Sequence, residues 1–576
     1  MFKAFTIKTV LSFCFLLVAT VACTDSSDKT DPGSALDTAL LRYVPADTPY
    51  IFAMLDPFPD EVADKLEPKI DAILRSHAGM LKTIRDTALK SAEGGGIPNE
   101  AAEALDEMGK LLSIEGFRGA GIQRDSKAVV YGVGLLPVLR MTLSDGDLMD
   151  AAIARVEEKA GDGMSVAIIG GQSYRYAGDD EGRLVVAVID NEIVLSIVPT
   201  NLPDELLKSV LGLTLPKSSM ADSGELQKII DDNDFLTHSV GLIDFERIVA
   251  TFLDDQSGVN EELLALMEYD GSVLDDVCRS EIREMSGIFP RIVTGYSEMS
   301  VDRFVSDTIL ELRGDIAAGL AALPAPVPGL GSDQGGLLAF GMSVDLLAAR
   351  EFYTARLDAL QADPYECELF ADLQEGLEQA RTALNQPIPP IVYSFKGFLA
   401  VVEDIEGMDL ANNQPPTSAD IRVLVATDNA AGLLAMGAMF SPEIAGLDIK
   451  PDGKPVRFES QRLAGAVDAA YVAMTDTALA MSIGQGTEVQ LGDMLSAAVN
   501  EPHPFASMEM DTARYYEFIS KTMVIEDDGE DSIPPELKAA IGEAMASAGQ
   551  IFSRMTVRVE FTERGIEIPS TVELSE

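Results

Sequence analysis

Leu338-Ala-Phe-Gly-Met-Ser-Val-Asp345 is an apolar run that ends in an acid and leads into a helical pattern over residues 346–361. The same design occurs three more times. Tyr50-Ile-Phe-Ala-Met-Leu-Asp56 precedes 59–77, Ser239-Val-Gly-Leu-Ile-Asp244 precedes 245–253, and Phe505-Ala-Ser-Met-Glu-Met-Asp511 precedes 512–521. Each run reads as a strand. An Asp at its end can accept the free amide protons of the first helical turn, which makes it a good N-cap. The recurrent acid therefore has a structural task, and no catalysis is assigned to it.

Working outward, further segments pair in the same order. Gly116-Phe117 answers Gly397-Phe398, each opening apolar strands. Arg140-Met-Thr-Leu-Ser-Asp145 answers Val423-Leu-Val-Ala-Thr-Asp428. The hairpin Leu184–Ser196, turning near Asp190-Asn191, answers Ala470–Ser482, and Met299–Leu312 answers Met555–Ile568. Recurrence in one order points to an internal duplication. Strands joined by short turns with inserted helices give an α+β class. The expected form is two related halves, each a curved antiparallel sheet with helices packed on one face. The halves are placed at 37–315 and 337–576. The Pro/Gly-rich stretch 316–336, with Pro324, Pro326, Pro328 and Gly329, is read as the linker between them. Gly94-Gly95-Gly96 is read as the end of a separate helix, Leu81–Ala92.

The N-terminus carries an address. Lys3 and Lys8 precede an uncharged stretch, Thr9–Ala22, shorter than the ~20 apolar residues that span a bilayer. It ends Thr20-Val21-Ala22-Cys23. This resembles the bacterial lipobox, which implies cleavage after residue 22 and a diacylglycerol on the Cys23 thiol. Residues 1–22 are then a signal peptide and 23–36 a flexible tether, rich in Asp, Ser, Pro and Gly. Thr24 stands where an Asp would retain a lipoprotein at the inner membrane. The resemblance therefore implies the cell envelope, the periplasmic face, and the outer membrane over the inner. The chain also resembles bacterial lipoproteins of unassigned activity whose mature part begins like Val44-Pro-Ala-Asp-Thr-Pro-Tyr50, a segment read as a strand. Pro326-Val-Pro-Gly-Leu-Gly331 and Pro451-Asp-Gly-Lys-Pro455 share in that resemblance. It implies no activity.

Composition narrows the rest. Lys+Arg total 43 against 94 Asp+Glu, a net charge of −51 that repels nucleic acid. A solubilising surface is the simplest account, and a basic partner or divalent cations would also suit it. Trp is absent, and His77, His238 and His503 lie far apart, so a His-based metal or catalytic cluster has little raw material. Export to an oxidising compartment favours a Cys278–Cys367 bridge over two separate thiols, and such a bridge would staple the two halves together.

Acid clusters at Asp231-Asp232-Asn233-Asp234, Asp145-Gly146-Asp147 and Glu526–Asp531 lack calcium-loop spacing and read as solvated loops. No Gly-x-Ser-x-Gly is present, and Gly94-Gly95-Gly96 lacks the Lys of a phosphate loop. Arg140 and Arg175 stand beside apolar strands, where they could face a cleft or form surface ion pairs. No catalytic residue, metal or cofactor is assigned. The expectation is a non-enzymatic, membrane-anchored lipoprotein with a binding or scaffolding role. Its partners would be the membrane, through the lipid, and an envelope protein or apolar ligand. A carrier of a lipid or other apolar ligand and an envelope hydrolase without a recognisable motif are the alternatives.

Overall fold

The computed structural model describes residues 36–90, 99–161, 163–254, 257–407, 416–440, 446–459, 469–522, 542, 547 and 549–576. Cys23, the tether as far as residue 35, Gly94–Gly96 and Glu526–Asp531 lie outside them. The fold mixes helices with extensive antiparallel sheet, and it divides into two compact units.

Among the described residues, the first unit contains 36–274 and Pro290–Ser306. Its strands are β1 (Tyr50–Met54), β2 (Ala128–Val133), β3 (Leu136–Thr142), β4 (Ser165–Ile169), β5 (Gln172–Gly178), β6 (Gly182–Ile189), β7 (Glu192–Pro199), β8 (Val240–Asp244) and β9 (Arg291–Met299). They pair antiparallel in the order β4-β5-β6-β7-β3-β2-β1-β8-β9. Its helices are α1 (Asp60–Lys90), α2 (Asn99–Leu111), α3 (Ile114–Gly119), α4 (Gly146–Ala160), α5 (Asp204–Val210), α6 (Met220–Ser223), α7 (Glu225–Asn233), α8 (Phe245–Leu253) and α9 (Val259–Leu266). The chain passes to the second unit within β10 (Arg303–Glu311).

Among the described residues, the second unit contains Asp275–Phe289, 307–522 and Phe552–Glu576. It holds α10 (Asp276–Ser286), α11 (Gly314–Ala321), β11 (Leu338–Ser343), α12 (Leu346–Ala362), α13 (Ala371–Leu384), β12 (Phe395–Glu406), β13 (Ser418–Thr427) and α14 (Ala430–Phe440). Then come β14 (Val456–Phe458), β15 (Ala470–Met474), β16 (Ala478–Ile483), α15 (Glu488–Ser496), β17 (Ala506–Asp511), α16 (Thr512–Thr522), β18 (Phe552–Phe561) and β19 (Gly565–Leu574). The order is β14-β15-β16-β13-β12-β11-β17-β18-β19. Setting β4 and β19 aside, this is the order of the first unit. Neither sheet is closed: among the described residues β4 pairs with β5 alone and β14 with β15 alone.

Strand register aligns the units residue by residue. Ile51 faces Tyr131 and Leu242, as Ala339 faces Val401 and Glu509. Phe52 thus matches Phe340, and the two are 41% and 42% exposed. Val138 faces Ser196 as Arg422 faces Ser482, so Arg140 matches Leu424 and Glu192 matches Ala478.

Several expectations change. Helical segments cover both faces of the first sheet, not one. Arg140 and Met141 are neighbours on β3 and point to opposite faces. Met141 joins a core with Leu74 of α1, Phe117 of α3 and Met149 and Ala152 of α4, while Arg140 donates 2.5 Å to the carbonyl of Leu211 just past α5. Phe117 is helical; Ser113 caps α3 by accepting from Gly116 N, and the strand whose place in the order corresponds to β12 is β2. Register also moves the match to Val423-Leu424 by one residue. In the closing hairpins, Met299 ends β9 as Phe561 ends β18, so Met555 is not its match.

The helix predicted to stop near His77 runs on through Gly79 to Lys90. Of Val44–Tyr50 only Tyr50 enters a strand, since Pro45 and Pro49 lack the amide a ladder needs. The stretch 316–336 is no loose linker. It opens in α11 and then buries Val327 and Leu330 against Leu399, Leu424 and Leu491.

Candidate functional site

The acids at strand ends behave as caps in four places. Asp145 accepts from Asp147 N, Asp244 from Arg247 N, Asp345 from Leu347 N and Ala348 N, and Asp511 from Arg514 N. Asp56 and Asp428 do not cap. Asp428 pairs with Lys396 at 3.0 Å, and Asn429 accepts from Gly432 N in its place.

Among the described residues Arg140 is the largest fully buried side chain, 1% exposed. Its guanidinium pairs with Glu192 and lies 3.7 Å from the centroid of the Tyr43 ring. Tyr131 stands beside it. Burial pushes that phenol's pKa up, and the Arg140 charge opposes the shift. A charge so enclosed holds the short turn Leu41–Tyr43 and the end of α5 to the sheet, and it faces no cleft. Arg175, by contrast, forms partly exposed pairs with Asp150 at 2.6 Å and Glu157 at 3.4 Å.

Cys278 and Cys367 are joined, with sulfurs 1.98 Å apart, and both are buried. Cys278 lies on α10, which packs in the second unit, so the bridge is internal to that unit and does not staple two halves. Glu281 of α10 accepts from the amides of Glu366 and Cys367 at 2.7 and 3.0 Å, fixing the same corner.

The three histidines stay apart in role. His77 and His503 bond the carbonyls of Ile73 and Asn500, and His238 is 4% exposed beside Phe58. Burial lowers the pKa of His238, against the charge of Asp56. Asp232 pairs with Lys228 on α7. Among the described residues no three His, Cys, Asp or Glu side chains gather as a metal site. No described helix is long and apolar enough to cross a membrane.

Two features could take a ligand. One is a cavity of about 350 Å³ in the first unit, lined by Asp47, Pro49, Gly134, Arg247, Thr251 and Asn260. Arg247 is held there by Glu225 at 2.9 Å, by Asp244 at 3.2 Å and by the Thr48 carbonyl at 3.1 Å. Two carboxylates already offset its charge, so the pocket is a polar niche without net pull for an anion. The other is α14, Ala430-Ala-Gly-Leu-Leu-Ala-Met-Gly-Ala-Met-Phe440, which has no charged residue. It packs on β13 and β16, yet Ala431 and Ala435 are exposed, Met439 is 82% exposed, and a Cβ on Gly437 would meet nothing. An apolar helix normally buries all its sides. Its sequence signal, eleven residues without a charge, was present and went unused.

Compared with protein families, with curated proteins and with solved structures, the chain matches none.

Proposed function

We propose that this chain is a non-enzymatic lipoprotein of the bacterial cell envelope, held by a lipid on Cys23, with a binding or scaffolding role. The observation that carries the reading is Thr20-Val21-Ala22-Cys23 after an uncharged stretch and before a polar run, Thr24–Ser34. Each buried lipid CH₂ contributes ~0.8 kcal/mol, so two or more acyl chains hold a protein on a membrane where one does not. The body faces the periplasm and, with Thr24 after the cysteine, belongs to the outer membrane. The two units arose by duplication of one α+β unit; the common strand order and the matched Phe52 and Phe340 support this.

Cys23→Ser tests the anchor. It releases the protein into the soluble fraction and abolishes labelling by a fatty-acid precursor. Unchanged membrane association of the variant would refute it.

A second reading, a carrier for an apolar ligand, draws on α14. A chain of net charge −51 that leaves an uncharged helix half outside its fold has a use for that apolar surface.

A further inference from the structure

The two sheets end in edges of different build. In the second unit the edge strand β14 has three residues, carries Arg457 at its centre and follows Lys454-Pro455. Shortness, charge and proline each keep a further strand from adding to an open edge. In the first unit the edge strand β4, Ser165-Val-Ala-Ile-Ile169, has none of these defences within it. Its register with β5 steps from Ser165–Tyr176 to Ile169–Gln172 without a bulge. From Gly163 to Tyr174 there is no charged residue, in a chain that is 24% charged.

The turn fixes which groups of β4 face outward. Gly170 and Gly171 have φ of +59° and +87°, so β4 and β5 are joined by a two-residue turn of type I′. Such a turn closes on a pair that exchanges both backbone bonds, here Ile169 and Gln172, and bonded pairs then alternate along the ladder. Ile169, Ala167 and Ser165 therefore bond inward to β5. Val166 and Ile168 direct their N–H and C=O outward, where among the described residues no strand pairs with them. Their side chains are 63% and 75% exposed. Both project on the α4 side of the sheet, since Val166 lies opposite Arg175, which pairs with Asp150 of α4.

An open ladder without charge calls for an extended, uncharged strand. Charge then selects the strand. A protein of another sequence can be drawn in by the 94 acids of this chain. A second copy carries the same acids and is repelled wherever they meet, so two copies join best where acids are missing. The edge also matches itself. Antiparallel pairing centred on Ala167 sets Val166 opposite Ile168 of the second copy, and Ile168 opposite its Val166. Both are bonded pairs, and both bring together β-branched apolar side chains, which pack well on a pleated face.

We propose that β4 is a self-pairing edge, through which two copies of this chain join their first-unit sheets into one antiparallel sheet. The proposal names a partner for the binding or scaffolding role and does not rest on the lipid anchor.

Disulfide trapping in the purified full chain tests it, with a readout blind to the anchor. At the centre of the pairing the two copies of Ala167 form a non-bonded pair with Cα atoms about 4.5 Å apart, within reach of a disulfide. The two copies of Ser165 lie roughly 14 Å apart along the strands, out of reach. Under mild oxidation Ala167→Cys should give at least about tenfold more covalent dimer than Ser165→Cys or the unsubstituted chain. Adding Val166→Asp/Ile168→Asp to Ala167→Cys sets acid against acid across the pair and should abolish the dimer. Both side chains are exposed, so the substituted chain keeps its fold. No dimer from Ala167→Cys, equal yields at positions 165 and 167, or a dimer that survives the aspartates would overturn the proposal.

Discussion

The two units share a strand order and differ in what they bury. Where the first unit encloses Arg140 and Glu192, the second has Leu424 and Ala478. Where the first has His238 at the entrance to β8, counting back from the matched register of β8 and β17 puts Phe505, stacked on Phe561 at 4.5 Å between centroids. The first covers its α4 with α2, and the second leaves α14 open. Identical backbone pairing thus tolerates a buried ion pair or its apolar substitute at one position. Topology sets which positions lie inside, and side chains then decide whether the interior is polar, apolar or unfinished.

The comparison can be broken unit by unit. The largest effect belongs to the disulfide, which among the described residues only the second unit has. Cys278→Ala/Cys367→Ala frees a separation of 89 residues. Unfolding by denaturant should show that unit losing about 4 kcal/mol, from the loop-closure entropy of the unfolded chain, with the first unit unmoved. Equal loss in both units would mean that they unfold as one.

Next is the buried charge. Arg140→Ala leaves Glu192 without its partner and should cost about 3 kcal/mol, because the remaining carboxylate is largely desolvated. Arg140→Leu/Glu192→Ala installs the second unit's pair, and about 1 kcal/mol or less should be lost. A double variant as unstable as Arg140→Ala would show that the matched positions are not equivalent.

Capping should be symmetric. Asp244→Ala and Asp511→Ala each remove a bond to the amide three residues on, and each should cost about 1 kcal/mol in thermal unfolding. Asp56→Ala removes no such bond and should cost less than either. A cost at Asp56 equal to the other two would contradict the assignment of caps.

The smallest effect is a pH dependence confined to the first unit. Burial holds the pKa of His238 below its ordinary value near 6.5. The unfolded chain then takes up the proton first. The stability from a neutral His238 is fully present above pH ~6.5 and declines as the pH falls through that value toward the folded pKa. His238→Phe copies the second unit's residue and should flatten that part of the stability–pH curve. An unchanged slope in the variant would assign the dependence elsewhere.

Much of the sheet was legible because it repeats a pattern that physics makes explicit. Phe52 and Met54 recur as Phe340 and Met342, and Asp244 recurs as Asp511, so β1, β8, β11 and β17 could be registered from spacing alone. The errors arose where local and tertiary signals diverge. Phe117 sits in an apolar run, but the Ser113 cap and the packing of α3 on Met149 make it helical. Pro324–Gly336 has linker composition, yet Val327 and Leu330 find a core that only the fold assembles. The side of the molecule to which Cys278 belongs was hidden because α10 packs with residues far along the chain. Of the candidate functional surface, the uncharged run of α14 was visible, but its exposure depends on which side of the helix packs on β13 and β16.

The central claim, the anchor, is tested most directly at the N-terminus of the protein purified from its own membranes. Mass spectrometry of the first proteolytic peptide should find a chain that begins at Cys23 and carries the mass of a diacylglyceryl group. A peptide that begins at Met1, or an unmodified Cys23, would contradict the account.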